Sequence, residues 1–214
     1  MFTRNSSGIP TAGDDLVPLL FGEFSLDQVA KLSFFDHALD AEKHNDKTRA
    51  IAEYRKLAGL PESRIQYCAW SALRKLGVDP EPEIARTVLG VVIEYGMPEG
   101  TDYLAVYHDN SARYINYSGK ILVLEPSDNG INADLKRLLQ YSQAVADLIG
   151  VWQEPRRPAP AAGVVRMSFL TPAGLLFGEG PVQAMSSDSC GRKILQQGAL
   201  VLNRLCSAAI PQGG

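Results

Sequence analysis

Residues 87–125 read as four short runs rich in β-branched and aromatic residues, "TVLGVVIEY", "DYLAVYHD", "ARYINYS" and "KILVLE". Turn-forming residues separate them, with "HDNSA" joining one neighbouring pair and "YSGK" the next. Loops this short link only antiparallel neighbours, because a parallel crossover takes a dozen residues or more. The spacing therefore predicts an antiparallel meander. A sheet must bury at least one face, so the remainder of the chain has to supply its cover.

Upstream of the meander the apolar period is helical. "SLDQVAKLSFFDHALDAEKH" opens with Ser25 and Gln28 at capping-box spacing and carries Leu32, Phe35 and Leu39 as a buried stripe. "NDKTRAIAEYRKLAGL" gathers Ile51, Tyr54 and Leu57 and stops at Gly59. A third helix is expected to start at Pro61 and run through "PESRIQYCAWSALRKLG" to Gly77. Its inward side would hold Ile65, Cys68, Ala69, Ala72, Leu73 and Leu76, and "VDPEPE" after it reads as a stiff bridge.

Downstream, Asn132 reads as the N-cap of "INADLKRLLQYSQAVADLIGVW", whose apolar side is Leu135, Leu138, Leu139, Ala146 and Ile149. Residues 153–163, "QEPRRPAPAAG", form a proline-rich connector that reads as a spacer, or as a segment docking Arg156 and Arg157 on a partner's aromatic groove. A hairpin, "VVRMSFLTPAG" and "LLFGEGPVQAM", and a last helix, "GRKILQQGALVLNRLC", follow. Trp70 and Trp152 are expected in core and helix-end packing. The fold class is α+β: a mainly antiparallel sheet, meander plus C-terminal hairpin, packed by helices and preceded by a helical subdomain. The expected division is a flexible 1–15, a helical subdomain over 16–80 and an α+β domain over 84–214.

Composition narrows the function classes. The 214 residues carry a net charge of −3, without the basic excess that releases counterions from phosphate, so no nucleic-acid partner is expected. Cys68, Cys190 and Cys206 lack C-x-x-C spacing and disulfide-scaffold density, which points to a reducing, cytoplasmic setting. "MFTRNSSGIPTAGDD" has no apolar core of a signal peptide, and no apolar run approaches the ~20 residues of a membrane span.

No metal or cofactor is expected. His37 and His44 lie two helical turns apart, about 10 Å along the axis, whereas paired ligands on one helix usually sit at i and i+3 or i+4. Asp36, Asp40 and His44 at i+4 spacing read as a solvated acidic face. "GLLFGEGP" lacks the G-x-G-x-x-G order of a nucleotide loop, and Pro181 stands where such a loop would open a helix.

Two places could carry chemistry. His108 and Asp109 stand together in "AVYHDNSARY", at the end of a run where Leu104, Val106 and His108 share one face. Adjacent strand side chains point to opposite faces and no nucleophile is nearby, so 108–111 reads as an exposed turn, with His108 and Asp109 kept as catalytic candidates. In "SSDSCGRKIL", Ser187, Asp188 or Ser189 can cap the last helix and put Cys190 in its first turn, where a helix end favours a thiolate. Arg192 and Lys193 would make that end an anion site.

The segments "DYLAVYHDNSARYINYSGKILVLEP", "IGVWQEPRRPAPAAG" and "SFLTPAGLLFGEGP" are similar to a group of bacterial proteins with no known activity, over the chain from about Ala85 onward. The resemblance implies no catalytic residue. At the level of fold, a helix-flanked sheet of this make-up also resembles profilin-like, roadblock and longin-like scaffolds, which pair with partners through sheet edges and helices. The expected function is that of a non-enzymatic adaptor with a protein partner or a second copy of itself. Two alternatives stay open: a thiol-dependent or anion-binding enzyme centred on Cys190, and a small-molecule sensor with its pocket between sheet and helical subdomain.

Overall fold

The computed structural model describes residues 16–24, 33–126 and 130–209. The Ser25–Gln28 capping pair and Leu32 lie outside them. The four runs form β1 (Gly90–Met97), β2 (Gly100–Tyr107), β3 (Ala112–Ile115) and β4 (Ile121–Leu124), each antiparallel to the next. The C-terminal hairpin, β5 (Val164–Thr171) and β6 (Gly174–Pro181), adds to the free side of β1, so the sheet order is β4-β3-β2-β1-β5-β6. The fold is α+β, as the turn spacing requires, with β1 at the middle of the sheet.

Both faces are covered, which is why these strands are apolar on both sides rather than alternating. One face carries Val91, Ile93, Leu104, Val106, Met167 and Phe169. It packs on α6 (Asn132–Ala146) and α8 (Ser189–Ala209), the latter preceded by the short α7 (Val182–Ser187). Leu135, Leu138, Ile194 and Val201 fill that layer, all fully buried. Gln197 Nε2 donates to Asp134 and Arg204 pairs with Asp134 at 3.0 Å, tying the two helices together.

The opposite face carries Val92, Tyr103, Ala105, Tyr107 and Leu170, under the N-terminal helices. These are α1 (Val17–Leu20), α2 (Asp36–Lys43), α3 (Lys47–Ala58) and α4 (Ser63–Lys75); α5 (Pro82–Ala85) leads into the sheet. Phe35, Tyr54, Leu57, Ile65, Ala69 and Leu73 are buried as their spacing implies, Trp70 is buried with them, and Leu39, Ile51, Cys68, Ala72 and Leu76 are half-buried. The fully buried Tyr107 donates its hydroxyl to the Leu20 carbonyl at 2.7 Å, pinning α1 to β2. Gly77, at φ 78°, ends α4 in the left-handed conformation that glycine adopts without a Cβ clash.

Several boundaries differ from those read in the sequence. Pro61 lies before α4, whose first helical residue is Ser63. Asn132 is the first residue of α6 rather than its cap, which is Ile131. That helix stops at Ala146 instead of continuing to Trp152, and Arg86 reaches across to donate to the carbonyls of Ala146 and Ile149 at its end. Part of "VDPEPE" is helical, with Pro82 in the first turn of α5.

The largest departure is the proline-rich connector, which is not a spacer. Residues 153–163 lie against Gly96 of β1 and Arg166 of β5. Pro160 is buried, and Gly163 N–H donates to Gly96 O at 2.9 Å. Gly96 is what admits the strand of chain so closely: a Cβ there would stand 2.0 Å from Ala161 O. Arg156 pairs with Glu23 at 3.1 Å over the Phe21 ring, and Arg157 lies over the rings of Trp152 and Phe177 within its own chain.

Candidate functional site

Residues 108–111 form the β2–β3 turn. Tyr107 N–H donates to Ser111 O at 3.0 Å, and Asn110 sits at φ 64°, a conformation asparagine tolerates better than most residues. His108 is exposed, and its backbone N–H donates to Leu89 O at 2.9 Å. Asp109 has a structural assignment. Its carboxylate accepts from Ser111 N–H at 2.8 Å and from Ser63 N–H at 3.0 Å, while its own N–H donates to Ser63 Oγ at 3.1 Å. This is a reciprocal cap supplied to α4 from a turn 46 residues away. Neither carboxylate bond goes to the neighbouring imidazole.

Beside that turn lies a cleft of about 690 Å³ lined by Pro61, Glu62, Arg64, His108, Ser111 and Glu125 among others. Arg64 Nη2 pairs with Glu62 at 3.2 Å, and Glu125 pairs with Arg113 at 2.8 Å. Arg64 Nε and Ser111 Oγ are buried without a hydrogen-bond partner. On the other side of the turn His108 lines a second recess with Lys136 and Gln143.

Asp188 is the cap at the last helix. Its Oδ1 accepts from Cys190 N–H at 2.9 Å and from Gly191 N–H at 2.7 Å. Those two N–H groups, with Arg192, hold the Asp188 carboxyl below its ordinary range. The helix end thus already holds an anion, its own aspartate. Cys190 Sγ is 3.9 Å from Ser189 Oγ. The thiol is half-buried, Arg192 and Lys193 are exposed, and the Lys193 ammonium lies over the Tyr141 ring. Cys190 lines neither of the recesses that His108 lines. His37 and His44 are exposed on or beside α2, and no cluster of three or more His, Cys, Asp or Glu able to hold a metal occurs among the described residues.

Sequence reasoning missed a buried row of charge among the described residues. Register aligns Tyr103, Glu94, Arg166 and Glu179 in one row across β2, β1, β5 and β6. Glu94 is 0% exposed and Arg166 3%, their closest atoms 3.5 Å apart. Arg166 also pairs with Glu179 at 2.5 Å and donates to the connector carbonyls of Arg157 and Pro158. Burial pushes the Glu94 carboxyl above its ordinary range against the pull of Arg166. A row alternating in charge across strands far apart in sequence leaves no local signature, so only the pairing register exposes it.

The two sheet edges differ in a way that bears on association. At β6, Trp152 N–H bonds Leu175 O at 2.7 Å, and α7 packs alongside. At β4, no described strand pairs with the outer side. Lys120 O accepts from Asn116 N–H at 3.0 Å, so by alternation residues 121 and 123 turn their N–H and C=O groups away from β3. Their side chains are exposed too, Ile121 at 42% and Val123 at 55%, with Tyr117 nearby at 44%.

No helix among the described residues is long and apolar enough to cross a membrane. Comparison of the chain with protein-family models, with curated proteins and with solved structures finds no match in any of the three.

Proposed function

We propose that the protein is an interaction protein that associates through the outer edge of β4, and that the strand it takes there is β4 of a second copy. The observation carrying this reading is the apolar edge that no described strand pairs with: outward backbone groups on Ile121 and Val123, with exposed branched side chains on the same residues. A hydrophobic strand edge that no described strand covers is a template for strand addition, and Lys120 and Pro126, residues of the kind that blunt such edges, flank the strand and leave Ile121–Leu124 between them.

Self-pairing has a register that satisfies both sheet geometry and side chains. Residues opposite one another on antiparallel strands share a face, so a two-fold through Leu122 sets Ile121 against the partner's Val123 and Val123 against the partner's Ile121. Each of these pairs exchanges two backbone hydrogen bonds, and four apolar side chains meet on one face. The result is a continuous sheet of twelve strands, two copies of the six in each chain.

The test is the mass in solution, by light scattering on a size-exclusion column across a dilution series. Wild type is expected to be dimeric and Val123→Lys monomeric, with the circular dichroism spectrum retained because Val123 is exposed. A monomeric wild type at every concentration, or a dimer indifferent to Lys at both 121 and 123, would overturn the reading.

A further inference from the structure

The connector is seated on the sheet as an extended peptide is seated on a receptor. Pro155, Pro158 and Pro160 have a fixed φ and no N–H to donate, and the residue before each is held out of the helical region. Such a segment is extended before it meets the sheet, with its carbonyls free and little entropy left to lose. The sheet meets those carbonyls. Arg166 donates to Arg157 O at 3.2 Å and to Pro158 O at 2.8 Å, and Gly96 O accepts from Gly163 N–H at 2.9 Å. The carbonyls of Pro160 and Ala161 lie where a Cβ on Gly96 would stand, 2.7 and 2.0 Å from that position.

Side chains make the fit selective. The two neighbouring arginines find separate carboxylates, Arg156 on Glu23 at 3.1 Å and Arg157 on Glu179 at 3.3 Å. Each guanidinium also lies over an aromatic ring, Arg156 over Phe21 and Arg157 over Phe177. Arg166 is held from the sheet itself, by Glu179 and Glu94, so its outward donors are aimed whether or not the connector is there. A covering segment needs only an apolar floor, and buried ion pairs add little to stability. A charged floor instead discriminates, because a wrong occupant leaves buried ions unpaired.

We propose that this face of β1, β5 and β6 is a peptide site for an extended arginine-arginine-proline segment of a partner protein. The connector is its tethered occupant and closes the site against that partner. None of these contacts involves the outer edge of β4, so the site stands or falls apart from association through that edge.

The experiment uses a synthetic peptide with the connector's own sequence, QEPRRPAPAAG, and a full chain whose residues 154–161 are replaced by alternating glycine and serine. That exchange opens the site without altering its floor or Glu23. Binding is followed by calorimetry and by tryptophan fluorescence, since Trp152 borders the site beside Arg157. The opened chain is expected to bind the peptide saturably. A peptide with alanine at both arginines should bind about tenfold more weakly or worse, the loss that follows removal of a charged hydrogen bond. Wild type is expected to respond only near millimolar peptide, about the effective concentration of a short tether. Glu23→Gln in the opened chain should weaken the arginine peptide but not a peptide that lacks only its first arginine. A face that merely supports the connector would show no such coupling. If the glycine-serine chain loses its circular dichroism, the Arg156→Ala, Arg157→Ala double variant takes its place. Absence of saturable binding to the opened chain, equal binding of the alanine peptide, or a Glu23→Gln effect that persists without the first arginine would each overturn the proposal.

Discussion

Glu94 shows how little one residue in a sequence reveals about its own electrostatics. Nothing in "VVIEYG" marks it as a buried charge, yet it is fully buried on the face where the connector bonds Arg166. Its carboxyl is held above the ordinary carboxylate range by burial. A carboxyl raised in the folded state binds more protons folded than unfolded, so its contribution to stability falls as pH climbs past the unfolded value of about 4.3. Glu94→Gln should therefore flatten the decline of stability above that pH, read as urea midpoints over a pH series, with little loss at neutrality. Arg166→Met is expected to cost about 3–5 kcal/mol at pH 7, because it leaves a buried charge without its partner. If Glu94→Gln instead lowered stability at every pH by a constant amount, packing rather than ionisation would be the role of this side chain.

At the scale of elements, what is legible follows the range of the interaction that sets it. The meander is read from turns of a few residues and local β-branched runs, and the inward faces of α3 and α4 from a period of under four residues. The caps are read poorly where the capping group is remote: Asp109 serves α4 and Arg86 serves the end of α6, and neither is near its helix in sequence. The connector is the extreme case. Proline-rich composition says that the backbone is extended and donates few hydrogen bonds, not that it lies on a sheet. The one local sign is Gly96, where a Cβ would collide with Ala161 O, inside a strand that otherwise favours branched residues. Gly96→Ala should therefore lift the connector. Trypsin provides the readout: the bond after Arg156 is shielded while its side chain pairs with Glu23, whereas the Arg157–Pro158 bond resists cleavage in any state. Wild type is expected to survive under conditions that cut the variant after Arg156. Equal cleavage rates with equal thermal midpoints would show that the connector does not depend on this close approach.

At the scale of the molecule, the issue is whether the N-terminal helices form a unit of their own, as the change of period near residue 80 suggests. Their core is not separate. Phe35, Tyr54, Leu57 and Leu73 share one apolar cluster with Val92, Ala105, Tyr107 and Leu170 of the sheet. Stripped of those helices, the sheet would expose an apolar face including the fully buried Tyr107, and the helices alone would have nothing to bury theirs against. The two layers are therefore expected to unfold together. The chain supplies its own reporters, since its two tryptophans fall on opposite sides of the question: Trp70 lies in α4, while Trp152 packs edge-on to Phe177 of β6 at 5.0 Å. In Trp152→Phe the fluorescence follows the helical layer, and in Trp70→Phe it follows the far end of the sheet. Within each variant, the urea transition by fluorescence should coincide with that by far-ultraviolet circular dichroism, the criterion for two-state behaviour. A Trp70 signal that melts ahead of the dichroism, while the Trp152 signal does not, would show that the helices come off an intact sheet and that the boundary near residue 80 is a true domain boundary.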